Sequence, residues 1–197
     1  MNVAVLKTKA EQSLAEAFSG IAAELPGGAE VRKLRSEAMR RFSAVGLPHR
    51  RVEAWKFTDL RNLMKEALPL SGRKDARVTE ADVNAALGPF AAIDAHRVVF
   101  VDGLYAPDLS ALVADGAVTV ASLATVLTDD ETAAELLRVG DRDEDAVLAL
   151  NTAYANDGAV VDIAANAKLE KPVVLVALRA GHEASLVTAR NFVRVGD

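Results

Sequence analysis

The periodicity of apolar residues changes along this chain, and that change constrains the fold most strongly. Leu14, Phe18 and Leu25 lie on one stripe with helical spacing, and a second stripe spans residues 31–45 before Gly46. From Gly158 onward, short β-branched runs such as "AVVDIAA" and "PVVLVAL" follow one another without helical segments between them. Strands without helical crossovers are typical of a sandwich, a barrel or a β-solenoid.

The middle of the chain mixes both patterns. Residues 69–78 are polar and contain Gly and Pro, which predicts a linker or surface loop. In "TEADVNAAL", Thr79 begins a helix, whereas the "DG" of "HRVVFVDGLY" predicts a tight hairpin. A strand at 117–120, a helix capped by Ser122 and a helix in "DEDAVLALNTAYAND" follow. Thr58 is the predicted cap of a short helix that carries Leu60 and Leu63.

These patterns predict an α+β protein with three regions. A helical region covers residues 1–70, a mixed helix and strand region covers 71–156, and a strand-rich core covers 157–197. The chain stops inside the strand-rich region without a segment that resembles a terminal cap, so we expect a truncated protein. The open strand edge is then a site of expected self-association.

Composition excludes several kinds of chemistry. The 197 residues include no cysteine, so the chain has no disulfide, no thiolate nucleophile and no thiolate-held zinc or iron–sulfur cluster. The net charge of -5 offers no overall attraction for polyanions. No apolar run approaches the roughly 20 residues of a membrane span, and the N-terminus does not resemble a signal peptide. The expected location is therefore cytoplasmic.

Searches for catalytic and metal-binding motifs fail. "DRDED" begins like a calcium-binding loop, but Ala146 and Thr152 occupy the positions that need Gly and Glu. His49, His96 and His182 are far apart and lack partners at metal-ligand spacing. No phosphate-binding loop, dinucleotide fingerprint or nucleophile elbow is present. We expect no enzymatic activity, no catalytic residue and no bound cofactor or metal in this chain.

The stretch "LPHRRVEAWKFTDLR" concentrates charge around the only tryptophan, Trp55. Its cations could face nucleic acid, but Glu53 and Asp59 are interleaved with them, and a single-strand binder needs several stacking aromatics. We therefore expect no nucleic-acid partner. Instead, Trp55 and Phe57 are predicted to anchor the segment to the helices, while its ions pair around the rim.

This stretch resembles a signature of the SufB and SufD proteins of iron–sulfur cluster assembly. The residues that match are Arg51, Glu53, Trp55, Lys56, Phe57, Thr58 and Asp59. Two later segments, "RVVFVDGLYAPDLS" and "ALNTAYANDGAVVDIAANAKLEKPVVLV", resemble further family elements in the same order. The helical N-terminus and the "DG" element favour the SufD branch. The signature residues are interpreted as structural.

The resemblance implies a fold and a function. SufD-like proteins have an N-terminal helical region, a right-handed β-helix and a C-terminal helical segment, so the strands after Gly158 would form the first coils of the β-helix. SufD pairs with SufB through the β-helices, and each binds the ATPase SufC through the C-terminal segment, which this chain lacks. Iron–sulfur clusters and ATP would be handled by partners and by that missing part. The alternative is a stand-alone protein-binding module with a strand-rich platform.

The absence of cysteine leads to a direct prediction. The chain alone should assemble no iron–sulfur cluster, because thiolates are the usual ligands. Anaerobic reconstitution with iron and sulfide should leave its visible spectrum featureless. A charge-transfer band that persists after desalting would contradict this expectation.

Overall fold

A computed structural model describes residues 7–72, 77–112, 116–140, 142, 144–180 and 183–196. Within them the helices are α1 (Lys9–Ile21), α2 (Ala29–Val45), α3 (Leu60–Leu63), α4 (Glu80–Leu87), α5 (Leu123–Val126), α6 (Asp130–Arg138) and α7 (Ala146–Tyr154). The strands are β1 (His96–Val101), β2 (Leu104–Tyr105), β3 (Val118–Ser122), β4 (Ala159–Ile163), β5 (Val173–Leu178) and β6 (Phe192–Val195). Short 3₁₀ turns lie at Glu53–Trp55, Gly88–Ala92 and Pro107–Leu109.

The chain divides into two compact units. Unit 1 contains Met1–Pro69 and Leu127–Ala155, and unit 2 contains Leu70–Val126 and Asn156–Asp197. The first boundary lies beside the predicted one at residue 70. Residues 127–155, which the sequence groups with the mixed region, instead join the N-terminal helices because α6 and α7 pack against α2.

Unit 1 is a helical unit whose first two helices follow the predicted stripes. Thr8 and Glu11 form a reciprocal capping box that begins α1, and Leu14 and Phe18 are buried along the helix. In α2 the buried residues are Val31, Arg35, Ala38, Met39 and Phe42. The stripe ends before Val45, which is 47% exposed. The chain then turns at Gly46, whose φ of 79° favours glycine.

A buried arginine joins three segments of unit 1. Arg35 is 1% exposed, and its guanidinium donates to the carbonyl oxygens of Ala153 at 3.0 Å and Pro26 at 2.7 Å. Ala153 lies in the last turn of α7, where carbonyls lack helical partners and favour a cation. Burial lowers the pKa of Arg35 to about 10. The arginine therefore holds α7 and the turn before α2 to α2 itself.

Helix α6 was not predicted from the sequence, although one of its side chains caps the N-terminus of α2. The N-cap residue of α2, Gly28, has no side chain, and Asp130 of α6 takes that role. Its carboxylate oxygens accept from the backbone N–H groups of Glu30 and Val31, both at 3.4 Å. A Cβ at Gly28 would overlap the Asp130 carboxylate, so the cap requires glycine there.

Unit 2 contains two three-stranded sheets, each with one antiparallel and one parallel pair. The strand orders are β2-β1-β5 and β3-β4-β6. Strand β5 runs parallel to β1, and β6 runs parallel to β4. The architecture is therefore mixed, with helices and two small mixed sheets within the described residues. The strands at 159–163, 173–178 and 192–195 fall within the predicted runs.

Strand β1 is buried on both faces. Val98 and Phe100 pack with Val118 and Val161 of the second sheet. On the opposite face, Val99 packs with Val83 of α4 and Val176 of β5. A strand covered on both faces needs apolar residues at consecutive positions, which explains the run "VVFV".

The predicted hairpin after β1 is present. Phe100 pairs with Tyr105 and Val101 with Leu104, so Asp102 and Gly103 form the two-residue turn. Their φ values of 51° and 85° are both positive, as a type I′ turn requires. The capping box predicted at Thr79 is also formed, and the hydrogen bond from the Thr79 hydroxyl lowers the pKa of Asp82.

One buried carboxylate connects separate parts of unit 2. Asp157, 4% exposed, accepts from the backbone N–H groups of Tyr105 at 2.8 Å, Ala124 at 3.1 Å and Gly158 at 2.8 Å. It also accepts from the Ser122 hydroxyl at 2.7 Å. The sequence predicts Ser122 as the helix cap, but Ser122 instead donates to Asp157, which itself caps α5.

Gly158 permits a close backbone approach beside this carboxylate. A Cβ at this position would overlap the carbonyl oxygen of Arg190, and φ is 156°. The neighbouring Asp157 and Ala189 form a parallel bridge, so two chain segments pass here in direct contact. The run "ASLVTAR" around this bridge was predicted as a strand, but within its described residues it forms only isolated bridges at Leu186 and Ala189.

The predicted loop at 69–78 and the predicted acidic stretch are only partly described. Residues 73–76, Asp141, Asp143 and His182 lie outside the described residues. No helix among the described residues is long and apolar enough to cross a membrane.

Replacement of Asp157 by Ala should lower the free energy of unfolding by at least about 3 kcal/mol. The change leaves three backbone N–H groups without an acceptor, one buried and two partly buried, and each lost acceptor costs about 1–3 kcal/mol. Urea denaturation measures the loss. Asp162→Ala in β4 is the matched control, since it removes only an exposed ion pair with Arg194 and should cost less than about 1 kcal/mol. Equal losses would contradict the role of Asp157.

Tyr154→Phe should remove a pH-dependent part of the stability. The Tyr154 hydroxyl donates to the Leu14 carbonyl oxygen at 2.6 Å, its ring packs edge-on against Phe18, and burial raises its pKa from 10.0 to about 12. Between these pH values the unfolded chain loses the phenolic proton first, so stability falls as pH rises. The Tyr154→Phe variant should lose about 1 kcal/mol near neutral pH and show a flatter alkaline decline in urea titrations. An identical alkaline decline in the variant would refute this assignment.

Candidate functional site

Residues 48–61 of unit 1 form a compact loop, here called the signature loop. Its ends are joined, because the N–H of Arg61 donates to the carbonyl oxygen of Pro48 at 3.2 Å. Within it, successive turns connect Val52 N–H to the His49 carbonyl at 2.9 Å and Trp55 N–H to the Val52 carbonyl at 2.8 Å. Such closely joined ends and internal turns are the features of an Ω-loop. The backbone of the loop is therefore fixed by its own hydrogen bonds.

Glu11 of α1 attaches this loop to the helices. Its side chain is buried, and Oε1 accepts from the N–H of Leu47 at 2.8 Å and lies 3.8 Å from Arg61 Nε. The other oxygen accepts from the N–H of Thr8 at 2.6 Å. A Cβ at Gly46 would lie 2.7 Å from Glu11 Oε1, so this glycine provides space as well as backbone freedom. One carboxylate thus holds both the helix start and the base of the loop.

The structure corrects the prediction that both aromatic residues anchor the loop. Trp55 is half-buried, but Phe57 is 92% exposed and packs into no core. The other exposed signature residues are Arg51, Glu53, Lys56 and Thr58, and Asp59 is half-buried. Hydrogen bonds of the successive turns fix the backbone on both sides of Phe57, whose ring is exposed to solvent.

Ion pairs form within the loop as predicted. Lys56 Nζ lies 2.6 Å from Glu53 Oε1 and 5.3 Å from the centroid of the Phe57 ring. Arg50 Nε lies 3.6 Å from Asp59 Oδ2. Exposed pairs of this kind contribute about 0–1 kcal/mol each, so they position side chains more than they stabilise the fold.

Asp59 also begins α3, where the sequence predicts Thr58 as the cap. Its Oδ1 accepts from the N–H of Asn62 at 3.0 Å, and its Oδ2 accepts from the Asn62 side-chain amide at 3.0 Å. The predicted short helix with Leu60 and Leu63 is present, but it has only 4 residues, and the Leu63 side chain is 68% exposed. A helix this short has no periodic stripe from which the sequence could show which residues face solvent.

Two adjoining depressions open on the surface of the loop. The first, of about 520 Å³, is bounded by Lys56, Phe57, Thr58 and Leu63 and is here called the apolar depression. The second, of about 430 Å³, is bounded by His49, Arg51 and Arg61 and is called the basic depression. Arg50, Asp59 and Asn62 line both of them. Apolar and cationic groups therefore lie side by side on one surface.

The surface is lined by cationic, apolar and uncharged polar side chains and by the carboxylate of Asp59. No group of three or more His, Asp or Glu residues that could hold a metal occurs in the part of the chain that the structure describes. His49 Nδ1 accepts from the N–H of Arg51 at 3.1 Å, and His96 is buried in β1 of the other unit. The loop offers exposed apolar area beside guanidinium groups.

Comparisons with known proteins place the chain in a family. Residues 9–175 match the sequence model of the SufBD protein N-terminal region. A curated relative, an iron–sulfur cluster assembly SufBD family protein of Synechocystis sp., is 32% identical over 148 residues. The match covers 73% of this chain and 31% of the relative, so the chain spans about a third of that protein's length. The chain belongs to the SufBD family, of which it carries the N-terminal region.

Proposed function

We propose that this protein is a SufD-like subunit of a cytoplasmic SufB–SufC–SufD scaffold on which iron–sulfur clusters are assembled. The observation that carries the proposal is the match of residues 9–175 to the SufBD N-terminal region. The relative from Synechocystis sp. bears the name of an iron–sulfur cluster assembly protein. The helical N-terminus and the "DG" hairpin after β1 favour the SufD branch, and the segment with Asp157 and Gly158 resembles a family element shared by SufB and SufD.

The parallel strand pairs support a β-helix as the continuation of this fold. Each turn of a solenoid adds a strand in parallel to the strand one turn earlier. Strand β5 is added to β1 in this way, with His96 opposite Val173, and β6 is added to β4, with Val160 opposite Phe192. In the first coils of a right-handed β-helix, the strands of one coil would be followed in the same order by those of the next. The order β1, β4, β5, β6 fits this pattern.

In this proposal the chain acts as a scaffold component and performs no catalysis itself. The sequence has no phosphate-binding loop and no cysteine, so ATP hydrolysis by a SufC-like ATPase and cluster ligation by other parts of the complex are required. The proposed contribution of this chain is to bind a SufB-like subunit through its strands.

The second candidate, a protein-binding module unrelated to cluster assembly, is favoured by one observation. Phe57 and Leu63 are 92% and 68% exposed on a loop with a fixed backbone, which suits a contact surface of any binding protein. The two functions differ in the partner they require.

Co-purification distinguishes the two candidates. The chain is expressed with the SufB-like and SufC-like proteins of the same genome and analysed by size-exclusion chromatography with light scattering. We expect co-elution with the SufB-like protein and entry of the SufC-like ATPase only when the SufB-like protein is present. The Asp157→Ala variant, which disturbs unit 2, is expected to lose co-elution.

Two outcomes would contradict the scaffold. One is the absence of co-elution while the wild-type chain remains folded by circular dichroism. The other is unchanged cluster formation by the SufB-like and SufC-like proteins when the chain is omitted. Either result would favour the stand-alone binding module.

A further inference from the structure

We infer that the surface of the signature loop is a docking site for an acidic, amphipathic segment of another protein. The apolar depression would receive an apolar anchor against Phe57 and Leu63, and the basic depression would receive carboxylates beside Arg51 and Arg61. This inference concerns unit 1 alone and does not depend on the scaffold proposal.

The first observation is the exposure of large apolar side chains at one place. Single exposed apolar residues are common on protein surfaces. Here Phe57 and Leu63, 92% and 68% exposed, line the same depression, and the methylene chain of Lys56 lies beside them. Burial of such side chains by a partner removes apolar surface from water and so favours association. They are therefore suited to anchor a bound segment.

The second observation is that the surface is preorganised. The N–H groups of Lys56 and Thr58 donate to the carbonyls of Glu53 at 3.3 Å and Trp55 at 2.9 Å, which fixes the backbone on both sides of Phe57. The Arg61 to Pro48 hydrogen bond closes the loop. A partner therefore does not have to order the loop backbone, and this removes a large entropic cost of association.

The third observation is charge. Residues 48–61 carry four basic side chains against two acidic ones, a net charge of about +2 in a chain of net charge -5. Arg50 and Lys56 are paired with Asp59 and Glu53, whereas Arg51 has no side-chain partner among the described residues. A free guanidinium favours a carboxylate, with which it forms paired charge-assisted hydrogen bonds. An acidic segment is complementary in sign to this surface.

Other occupants fit less well. A nucleic acid requires a continuous positive groove with several stacking aromatics, but Glu53 and Asp59 interrupt the cations and Phe57 offers one exposed ring. A two-fold dimer through this surface would bring Arg50, Arg51 and Arg61 towards their own copies. Like charges at such an interface oppose association.

The test uses defined peptides and the complete 197-residue chain. One fluorescein-labelled peptide of about 16 residues places leucines on one helical face and glutamates on the other. A matched peptide carries lysine in place of glutamate, a scrambled peptide has the acidic composition without the apolar face, and oligothymidine represents nucleic acid. Fluorescence anisotropy measures binding, and amide chemical shifts locate the contact.

We expect the acidic amphipathic peptide to bind and to shift amides of residues 49–63. Phe57→Ala and Arg51→Glu should each weaken binding about tenfold. Both side chains are exposed, so both variants should fold. Phe90→Ala and Lys33→Glu are matched controls, since each makes the corresponding change at an exposed phenylalanine or an exposed cationic residue elsewhere, and both should bind within about twofold of wild type.

Several results would overturn the inference. Among them are equal binding of the lysine or scrambled peptide, competition by oligothymidine, equal losses in the control variants, and the absence of binding. A concentration-dependent dimer that Phe57→Ala abolishes would also overturn it, because a second copy would then be the occupant. Since the SufB-like partner is absent from this experiment, its outcome is separate from that of the co-purification.

Discussion

Unit 2 depends on the backbone hydrogen bonds that the Asp157 carboxylate accepts. This carboxylate reaches the hairpin strand β2 through Tyr105, the start of α5 through Ala124, and the start of β4 through Gly158. Segments up to 52 residues apart in sequence therefore meet at one side chain. Gly158 completes the arrangement, because any larger residue would meet the Arg190 carbonyl. This junction thus links β2 of one sheet to the start of β4 in the other.

Unit 1 uses buried charges in the same way. Arg35 donates to two carbonyls and Glu11 accepts from two N–H groups, so each ion satisfies the backbone at points where the chain turns. Arg35 forms no buried ion pair in the described part of the chain, and its hydrogen bonds to α7 and to the turn before α2 offset only part of the desolvation of its guanidinium, since burial still lowers its pKa. These ions determine which segments meet, whereas the apolar stripes supply most of the burial.

Local sequence patterns predicted local structure, whereas contacts between residues far apart in the chain were seen only in the structure. The stripes of α1 and α2, the capping box at Thr79 and the hairpin at Asp102 are properties of neighbouring residues, and all were predicted. Helix α6 was missed, although Ala133, Leu136 and Leu137 are buried on one of its sides. The packing of α6 and α7 against α2 depends on residues about 100 positions apart, as with Glu30 and Asp130, and periodicity carries no information about such pairs.

The candidate site likewise combines local features that the sequence predicts with exposures that it does not. The ion pairs of the signature loop follow from alternating charges and were predicted. The exposure of Phe57 was not, because composition assigns an aromatic residue to a core by default. Its exposure follows from turns that the surrounding hydrogen bonds impose and from the short length of α3, neither of which has a signal in the spacing of apolar residues. The interpretation of the loop accordingly changes from an internal anchor to an external contact surface.

The division of the chain between units has a consequence for synthesis. Unit 1 needs α6 and α7, which are translated only after β1, β2 and β3 of unit 2. Helices α1 and α2 therefore emerge from the ribosome long before their packing partners, with an apolar face exposed in the interval. A single cut near residue 70 would likewise yield two incomplete pieces rather than two domains, so neither unit is a self-contained segment for expression or for exchange between proteins.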